Sequence, residues 1–504
     1  MGYIGRITIA VLAAALVVCA PARAGEVIIA GEHTAERVFD PAVPDRSEIA
    51  LGLPVGGRAP LARAQATSRR GGRAVLRAIA RETRRERITA SQARRWRATW
   101  VRSQRALRKL GGARDTQLRY VAGSVEVLAL SRRLTPTRMP VAFLQLERNR
   151  QYWLRLPYPG AGDQVSFRGS QILFQYFPGE GLQLHPLSTF KKANHMYGFC
   201  NSGQPSCDEA ALRRLLDEMT NLAVQRGRRF IAWEYLFYFG GGGGYPPWMS
   251  GMAQATGIQA LGRAAVLLDE PSYVETARRA LGAFETPPPR GVRTTGPGGG
   301  VHYLQYSNSP RLYIFNAFLQ SLIGLHDFGK LASDERATRL FRAAEPEARE
   351  EIPLSDVGDW SRYSYAGAES THEYHELLRE FLASMCTRRL GRIYCQYAER
   401  YRGYQVDPPV LTYRGPEFAT EDEATTIRFH VTKLSAVELR ITRADGRVVR
   451  SGLATFPDGP GTFTWIPRGP GVYDVSLAAK ELRTGLGKKD RASGTIEVEN
   501  VPED

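Results

Sequence analysis

The stretch PPWMSGMAQATGIQALGRA (residues 246–264), read together with YSNSPRLYIFNAFLQSLIGLHDF (306–328), decides the fold class of the central part of this chain. In and just beyond the first, Met252, Ala253, Ile258, Ala260, Leu261, Ala264 and Ala265 recur with the 3.6-residue period of one helical face. In the second, Ile314, Phe315, Phe318, Leu319, Leu322, Ile323 and Leu325 do the same. Both patterns predict helices with one buried side. An aromatic run, GDWSRYSYAGAESTHEYHE (358–376), follows. Polar and aromatic residues that a plain core helix does not need punctuate this region, among them Trp248, Gln254, Tyr306, Arg311 and Asn316. Arg362, Tyr363, Tyr365, His372, Tyr374 and His375 continue the series.

Working outward, further helices are expected at Asp208 onward, with Asp208 as the cap, and at Pro271–Phe284, Ser333–Ala344 and Glu373–Met385. Short connections between them imply antiparallel helical hairpins across residues 195–402. IAWEYLFYF leads into five glycines, Gly240–Gly244. No Gly-Lys-Ser/Thr follows, which excludes a P-loop and leaves a mobile loop beside a cleft.

On the amino-terminal side the period changes to two between Val121 and Leu184, in SVEVLALS, QYWLRLPY, SQILFQYFP and GLQLHP. This predicts a small antiparallel β-domain over 115–194. Residues 68–114 are arginine-dense, with apolar spacing suited to two amphipathic helices whose charged faces could meet either solvent or a polyanion. Residues 25–67, rich in Ala, Gly and Pro, are expected to be a disordered linker. Residues 1–24 have the basic start, apolar run and Ala22-Arg23-Ala24 ending of a secretory signal, with an uncleaved anchor as the alternative. Beyond Tyr401 short alternating strands with turn signals, such as ADGR and PRGPG, predict an immunoglobulin-like β-sandwich over 403–504.

The formal charge of +17 over 504 residues implies an anionic partner. Export argues against nucleic acid and leaves acidic polysaccharide first, with the membrane met only through the signal or anchor segment. In an exported chain Cys200 with Cys207, and Cys386 with Cys395, form the simplest pair of local disulfides, although four cysteines allow three connectivities. Neither pair has the C-x-x-C spacing of a zinc site. His372 and His375 stand at i, i+3, without the i, i+4 spacing of a zincin, so no metal is expected; a contact to sugar or a cap suits them better.

WMSGMAQATGIQALGRA, NAFLQSLIGLHDF and DVGDWSRYSY together resemble the carboxyl-terminal region of D-glucuronyl C5-epimerases, over roughly Gln171 to Leu382. The resemblance implies an α/α-toroid-like helical domain, so that the whole reads as a multidomain α+β protein. It also implies inversion of glucuronate to iduronate within an acidic polysaccharide, without a cofactor, and dimerisation. Position within the family motifs places Tyr306 and Tyr363 on two catalytic tyrosines. The third family tyrosine falls on Thr371, with Tyr374 nearby, and an acidic neighbour common in the family is replaced by Gln305.

C5 inversion removes the proton α to a carboxylate and returns one to the opposite face, so it needs a base, an acid and cationic or hydrogen-bonding groups at the carboxylate. Tyr306, Tyr363 and Tyr374 are the candidates for proton transfer. Trp248, Gln254, Arg311, Asn316, Arg362, His372 and His375 are the candidates for binding substrate. A phenol of pKa about 10 is a poor base, and each unit it is lowered corresponds to about 1.4 kcal/mol. Arg362 and Arg311 are expected to supply that help, with Tyr306 and Tyr363 facing each other across a sugar-sized gap. Two other function classes fit the same residues: a polysaccharide lyase acting by β-elimination, and a non-catalytic cell-envelope protein that grips acidic glycan.

Overall fold

The computed structural model describes residues 25–45, 68–227, 230–240 and 244–500. The expected signal segment (1–24), residues 46–67 of the expected linker and residues 241–243 of the glycine run lie outside them. Among the described residues, twelve α-helices and seventeen strands make a mixed helix-and-sheet protein.

The amino-terminal part combines a sheet with four helices. Strands β1 (Glu26–Ala30) and β2 (Ala35–Phe39) form a hairpin inside the stretch expected to be a linker. After helices α1 (Arg69–Arg84), α2 (Ala90–Leu107), α3 (Gly112–Leu130) and α4 (Met139–Arg155) come β3 (Gln164–Phe167), β4 (Phe174–Phe177) and β5 (Gly181–Leu184). The sheet order is β2-β1-β3-β4-β5. Because β1 and β3 run parallel, this sheet is mixed where an antiparallel one was expected.

The strand reading of SVEVLALS and QYWLRLPY is corrected here: the first closes α3 and most of the second closes α4. Helix α3 is buried almost all round from Leu118 to Ala129, so no polar stripe marks its 3.6 period. The two amphipathic helices expected in the basic region are α1, capped by Ser68, and α2, capped by a Thr89–Gln92 capping box.

Helices α5 (Pro186–Asn201) and α6 (Glu209–Asn221), the latter capped by Asp208, lead to the hairpin β6 (Val224–Arg226) and β7 (Phe230–Ala232). Then follow α7 (Gly251–Leu267), α8 (Pro271–Ala280), the hairpin β8 (Arg293–Thr295) and β9 (Val301–Tyr303), α9 (Phe315–Leu331), α10 (Glu335–Leu354), α11 (His372–Thr387) and α12 (Arg392–Val406). One continuous apolar core runs from Ile28 to Tyr401.

Asp327, in the LHDF of α9, ties three helices together: both its oxygens accept from Arg388 at 2.7 Å, and Arg263 of α7 stands at 3.0 Å. Burial opposes its ionisation, but these guanidiniums and His326 more than offset that and hold its carboxyl well below the usual range. Cys200–Cys207 and Cys386–Cys395 are both bonded. Among the described residues no helix is long and apolar enough to cross a membrane.

The carboxyl-terminal part has its own core, between a three-stranded sheet and a five-stranded one. The first is β10 (Leu411–Tyr413), β12 (Thr425–Val431) and β15 (Gly459–Trp465). The second holds β11 (Phe418–Thr420), β13 (Ser435–Arg443), β14 (Val448–Phe456), β16 (Gly471–Glu481) and β17 (Lys489–Glu499). Alternation is clear in β13 and β16, where every second residue is buried.

Candidate active site

Tyr306 stands just past β9, on a segment fixed at both edges. Leu304 N–H donates to Val292 O (2.9 Å), and Gly251 N–H donates to Leu304 O (3.1 Å). Ser307 N–H donates to Met249 O (3.0 Å), while Met249 N–H donates back to Ser307 Oγ (3.1 Å). This is the physical content of W-M-S-G: Ser250 caps α7, and Gly251 leaves room for the Leu304 carbonyl, which a Cβ there would meet at 2.4 Å.

Tyr363 sits on a tight ladder between α10 and α11. Arg362 N–H donates to Ser355 O (2.7 Å), Tyr363 N–H to Ala368 O (3.0 Å) and Tyr365 N–H to Tyr313 O (2.9 Å). Trp360 locks the base of the ladder by donating from its indole to Ser370 O at 2.8 Å. Gly358 is held at φ +98°, a conformation that favours glycine, and so permits the turn of D-V-G-D-W. Tyr374 enters from the first turn of α11, where Thr371 is the cap.

These elements bring the three tyrosines together. Tyr306 and Tyr363 share a side-chain hydrogen bond. The rings of Tyr363 and Tyr374 lie 4.7 Å apart. Tyr306 is fully buried, whereas Tyr363 and Tyr374 are half-buried. Burial is the main cause that lifts Tyr306 and Tyr363 above the ordinary phenol range, and the neighbouring Tyr374 adds to it, so both are protonated at neutral pH.

Two expectations are corrected by this geometry. No sugar-sized gap separates Tyr306 from Tyr363, because their hydroxyls meet directly. Neither guanidinium serves the phenols: Arg362 spends Nη1 on Gly367 O (3.0 Å), and Arg311 is exposed. The electrostatic causes acting on the two phenols come from other tyrosines.

Several expected binding residues are scaffold. Gln254 brackets Trp233, accepting from its N–H (3.0 Å) and donating to its carbonyl (2.8 Å), so neither end of the carboxamide faces outward. Trp248 is fully buried, stacked on Tyr235 at 4.2 Å, with its indole donating to Phe237 O (2.8 Å) and its edge against Tyr306 at 5.6 Å. It supports the phenol and offers no free face to a sugar. His375 is buried, stacked on Trp360 at 3.6 Å, with Ser361 Oγ (2.8 Å) and Tyr401 O (3.1 Å) on its two nitrogens. Burial lowers its pKa to about 4, so it is a neutral core residue. Asn316 donates to Tyr374 O at 3.2 Å and so positions that tyrosine. His372 is exposed, its ring 6.2 Å from Trp360.

Sequence reasoning passed over the supporting wall. Trp233, Tyr235, Phe237 and Phe239 are all buried, and Phe239 reaches Tyr306 at 5.5 Å. The signal was the period of two in IAWEYLFYF. Beside Tyr306, the Gln305 carboxamide is buried and neither its oxygen nor its nitrogen has a partner among the described residues. An unmet amide of this kind is costly, and a polar ligand would relieve it. Among the described residues no His, Cys, Asp and Glu group could hold a metal ion.

The sheets of the carboxyl-terminal part touch the same ladder. Arg483 pairs with Asp359 at 2.8 Å and with Glu369, and Leu434 N–H donates to Asp359 Oδ2 at 2.8 Å. Lys433 is inserted among the carbonyls of Gly403, Tyr404 (2.8 Å) and Asp407 (2.6 Å) at the end of α12.

Residues 226–403, which contain all three tyrosines, match the family described as D-glucuronyl C5-epimerase C-terminus. The match starts and ends later than the span of the motif resemblance. An uncharacterised protein of Methanocaldococcus jannaschii is 24% identical over 190 residues, 37% of this chain and 62% of that protein. The D-glucuronyl C5-epimerase of Caenorhabditis elegans is 31% identical over 130 residues, 23% of this chain. The chain thus spans 62% and 21% of the lengths of these two relatives. A crystal structure of D-mannose isomerase, at 10% identity, covers 58% of this chain and 76% of that one with a TM-score of 0.33, too low to define a shared fold. Over residues 226–403, then, the chain is similar to the D-glucuronyl C5-epimerase C-terminal family, and the rest of it lies outside that match.

Proposed function

We propose that this protein inverts C5 of glucuronate to iduronate within an acidic polysaccharide outside the cytoplasm, by removing and returning a proton. The observation that carries this reading is the hydrogen-bonded Tyr306–Tyr363 couple with Tyr374 beside it, inside the matched segment. Tyr363 is the base: the bond it receives from Tyr306 stabilises a phenolate, in the absence of any guanidinium to do so. Tyr306 is the residue that holds that charge, and Tyr374 returns the proton. The sugar enters by displacing the contact among the phenols, and Gln305 offers its unpaired carboxamide to the uronate. Arg311 and His372, both exposed, are left to meet the polymer. In this reading the helices form an α/α toroid around the site, and the carboxyl-terminal sheets an immunoglobulin-like sandwich.

The chemistry is tested by NMR, following wash-in of solvent deuterium at C5 of uronate polymers with the native chain and Tyr363→Phe. The native chain should exchange C5 hydrogen at constant polymer length, and Tyr363→Phe should not. An unsaturated uronate product absorbing in the ultraviolet would assign a lyase in its place. Binding without exchange would leave a glycan-gripping protein.

A further inference from the structure

Residues 69–109 hold fifteen Lys and Arg against two Asp and Glu, which is +13 of the chain's formal +17. They form α1, α2 and the turn between them. The two helices run antiparallel, since a Cβ on Gly72 in the first turn of α1 would lie 3.5 Å from Trp100 in the second half of α2. Their apolar faces, Val75, Ala78 and Ile79 on one and Trp96, Trp100 and Leu107 on the other, are buried in the core. The arginines therefore take no part in that packing.

Of the fifteen cations, twelve are exposed and make no ion pair with a described residue. The buried acid, Glu82, is already met by Arg81 at 2.6 Å and Arg87 at 3.6 Å. Arg69, Arg73 and Arg77 stand at i, i+4 along α1, and Arg94 and Arg97 stand at i, i+3 on α2, with Arg105 two turns further on. Like charges at that spacing repel one another on a helix. A hairpin packed through its other side gains nothing from such a row, which is left to meet anionic charge beyond the described residues. A helix of this length extends about 24 Å, which suits a line of negative charges and exceeds what a single small anion can use.

We infer that the α1–α2 hairpin is a second grip for the polymer: it binds an acidic polysaccharide chain along its arginine rows, apart from the tyrosines and outside the matched segment. This rests on the proposed function only for the identity of the polymer, whose uronate carboxylates repeat along the chain. Such a grip raises the local concentration of substrate through a second attachment and leaves the proton transfers unchanged.

The test compares the native chain with Arg73→Gln/Arg77→Gln/Arg94→Gln/Arg97→Gln, checked for helix content by circular dichroism. The control removes the same charge from the carboxyl-terminal sheets at Arg447, Arg450, Lys480 and Lys489. Binding of long heparosan, of neutral dextran and of anionic phospholipid vesicles is measured over a range of salt. The quadruple hairpin variant should bind heparosan at least about tenfold more weakly, with a shallower dependence on salt, while the control binds as the native chain does. On a heparosan tetrasaccharide its rate of C5 exchange should match the native rate, while KM on the long polymer rises. The inference is overturned if the hairpin variant binds long heparosan like the native chain, if the control loses as much, or if the native chain binds vesicles and not heparosan. Arginine-dependent binding with no exchange on any uronate polymer would sink the proposed chemistry and leave the grip standing.

Discussion

The side chains of Tyr306 and Tyr363 are hydrogen-bonded to each other, across a chain separation that puts one on the β9 edge and the other on the ladder before α11. Whichever of the two becomes a phenolate keeps the other as its donor; the reading proposed above gives the base to Tyr363 and the donor to Tyr306. Tyr306→Phe should therefore slow C5 exchange by about a hundred-fold or more and move the alkaline rise of the pH–rate profile upward, because the base is left without its donor. Tyr363→Phe should abolish exchange at every pH. A Tyr306→Phe profile that falls in rate with no displacement along pH would contradict the assignment.

In the proposed reaction Tyr374, its ring 4.7 Å from that of Tyr363, acts on the returning proton. Tyr374→Phe should then keep exchange of C5 hydrogen from glucuronate while losing conversion to iduronate, as removal and return are confined to one phenol. Running the NMR assay for both deuterium content and epimer ratio on the same sample decides it. Equal loss of the two would place Tyr374 elsewhere in the reaction.

Asp327 is predicted to matter for stability alone. Its carboxyl is held below the usual range, so the stabilisation is complete above the unfolded pKa of about 4 and is lost as pH falls towards the folded value. Asp327→Asn should cost about 3 kcal/mol near neutral pH by leaving Arg263 and Arg388 without their shared acid. Urea denaturation between pH 3 and 7 should show the gap between variant and native chain narrowing towards the acid end.

The β8–β9 hairpin carries the opposite pH signature. Glu347 accepts from Gly298 N and Gly300 N at 2.7 Å, and Glu351 is pushed up to about 9 by burial and by its contact with Glu347, with His302 at 2.7 Å on its other side. A carboxyl raised in the folded state contributes fully below its unfolded pKa, and that contribution is lost as pH rises through 9. Glu351→Gln should flatten the fall in melting temperature between pH 5 and 9. A native chain whose melting temperature does not fall over that range would refute the reading.

The central helices were legible because α7, α9 and α11 each carry dense apolar residues beside a recognisable cap or motif, although α7 and α9 are buried on every side where one buried side was expected. Tyr306 and Tyr363 were singled out by their place in the family motifs and not by any helical stripe. What failed was any inference that needed to know which way a side chain turns. Gln254 and His375 carry the polar groups expected of a binding site, yet the backbone around them and Ser361 Oγ use every one. Arg362 is adjacent to Tyr363 in sequence, and its guanidinium is nonetheless taken by Gly367 O. Helix α3 was misread because full burial erases the periodicity on which the reading depends.

Arg483 belongs to none of the matched residues, yet it neutralises Asp359 and Glu369 on either side of the ladder that holds Tyr363. A fragment trimmed to 226–403 would keep both acids and lose their counter-charge. It would then leave Asp359 and Glu369 as a bare pair of negative charges beside the ladder that holds Tyr363, and would cut through the core that runs from Ile28 to Tyr401.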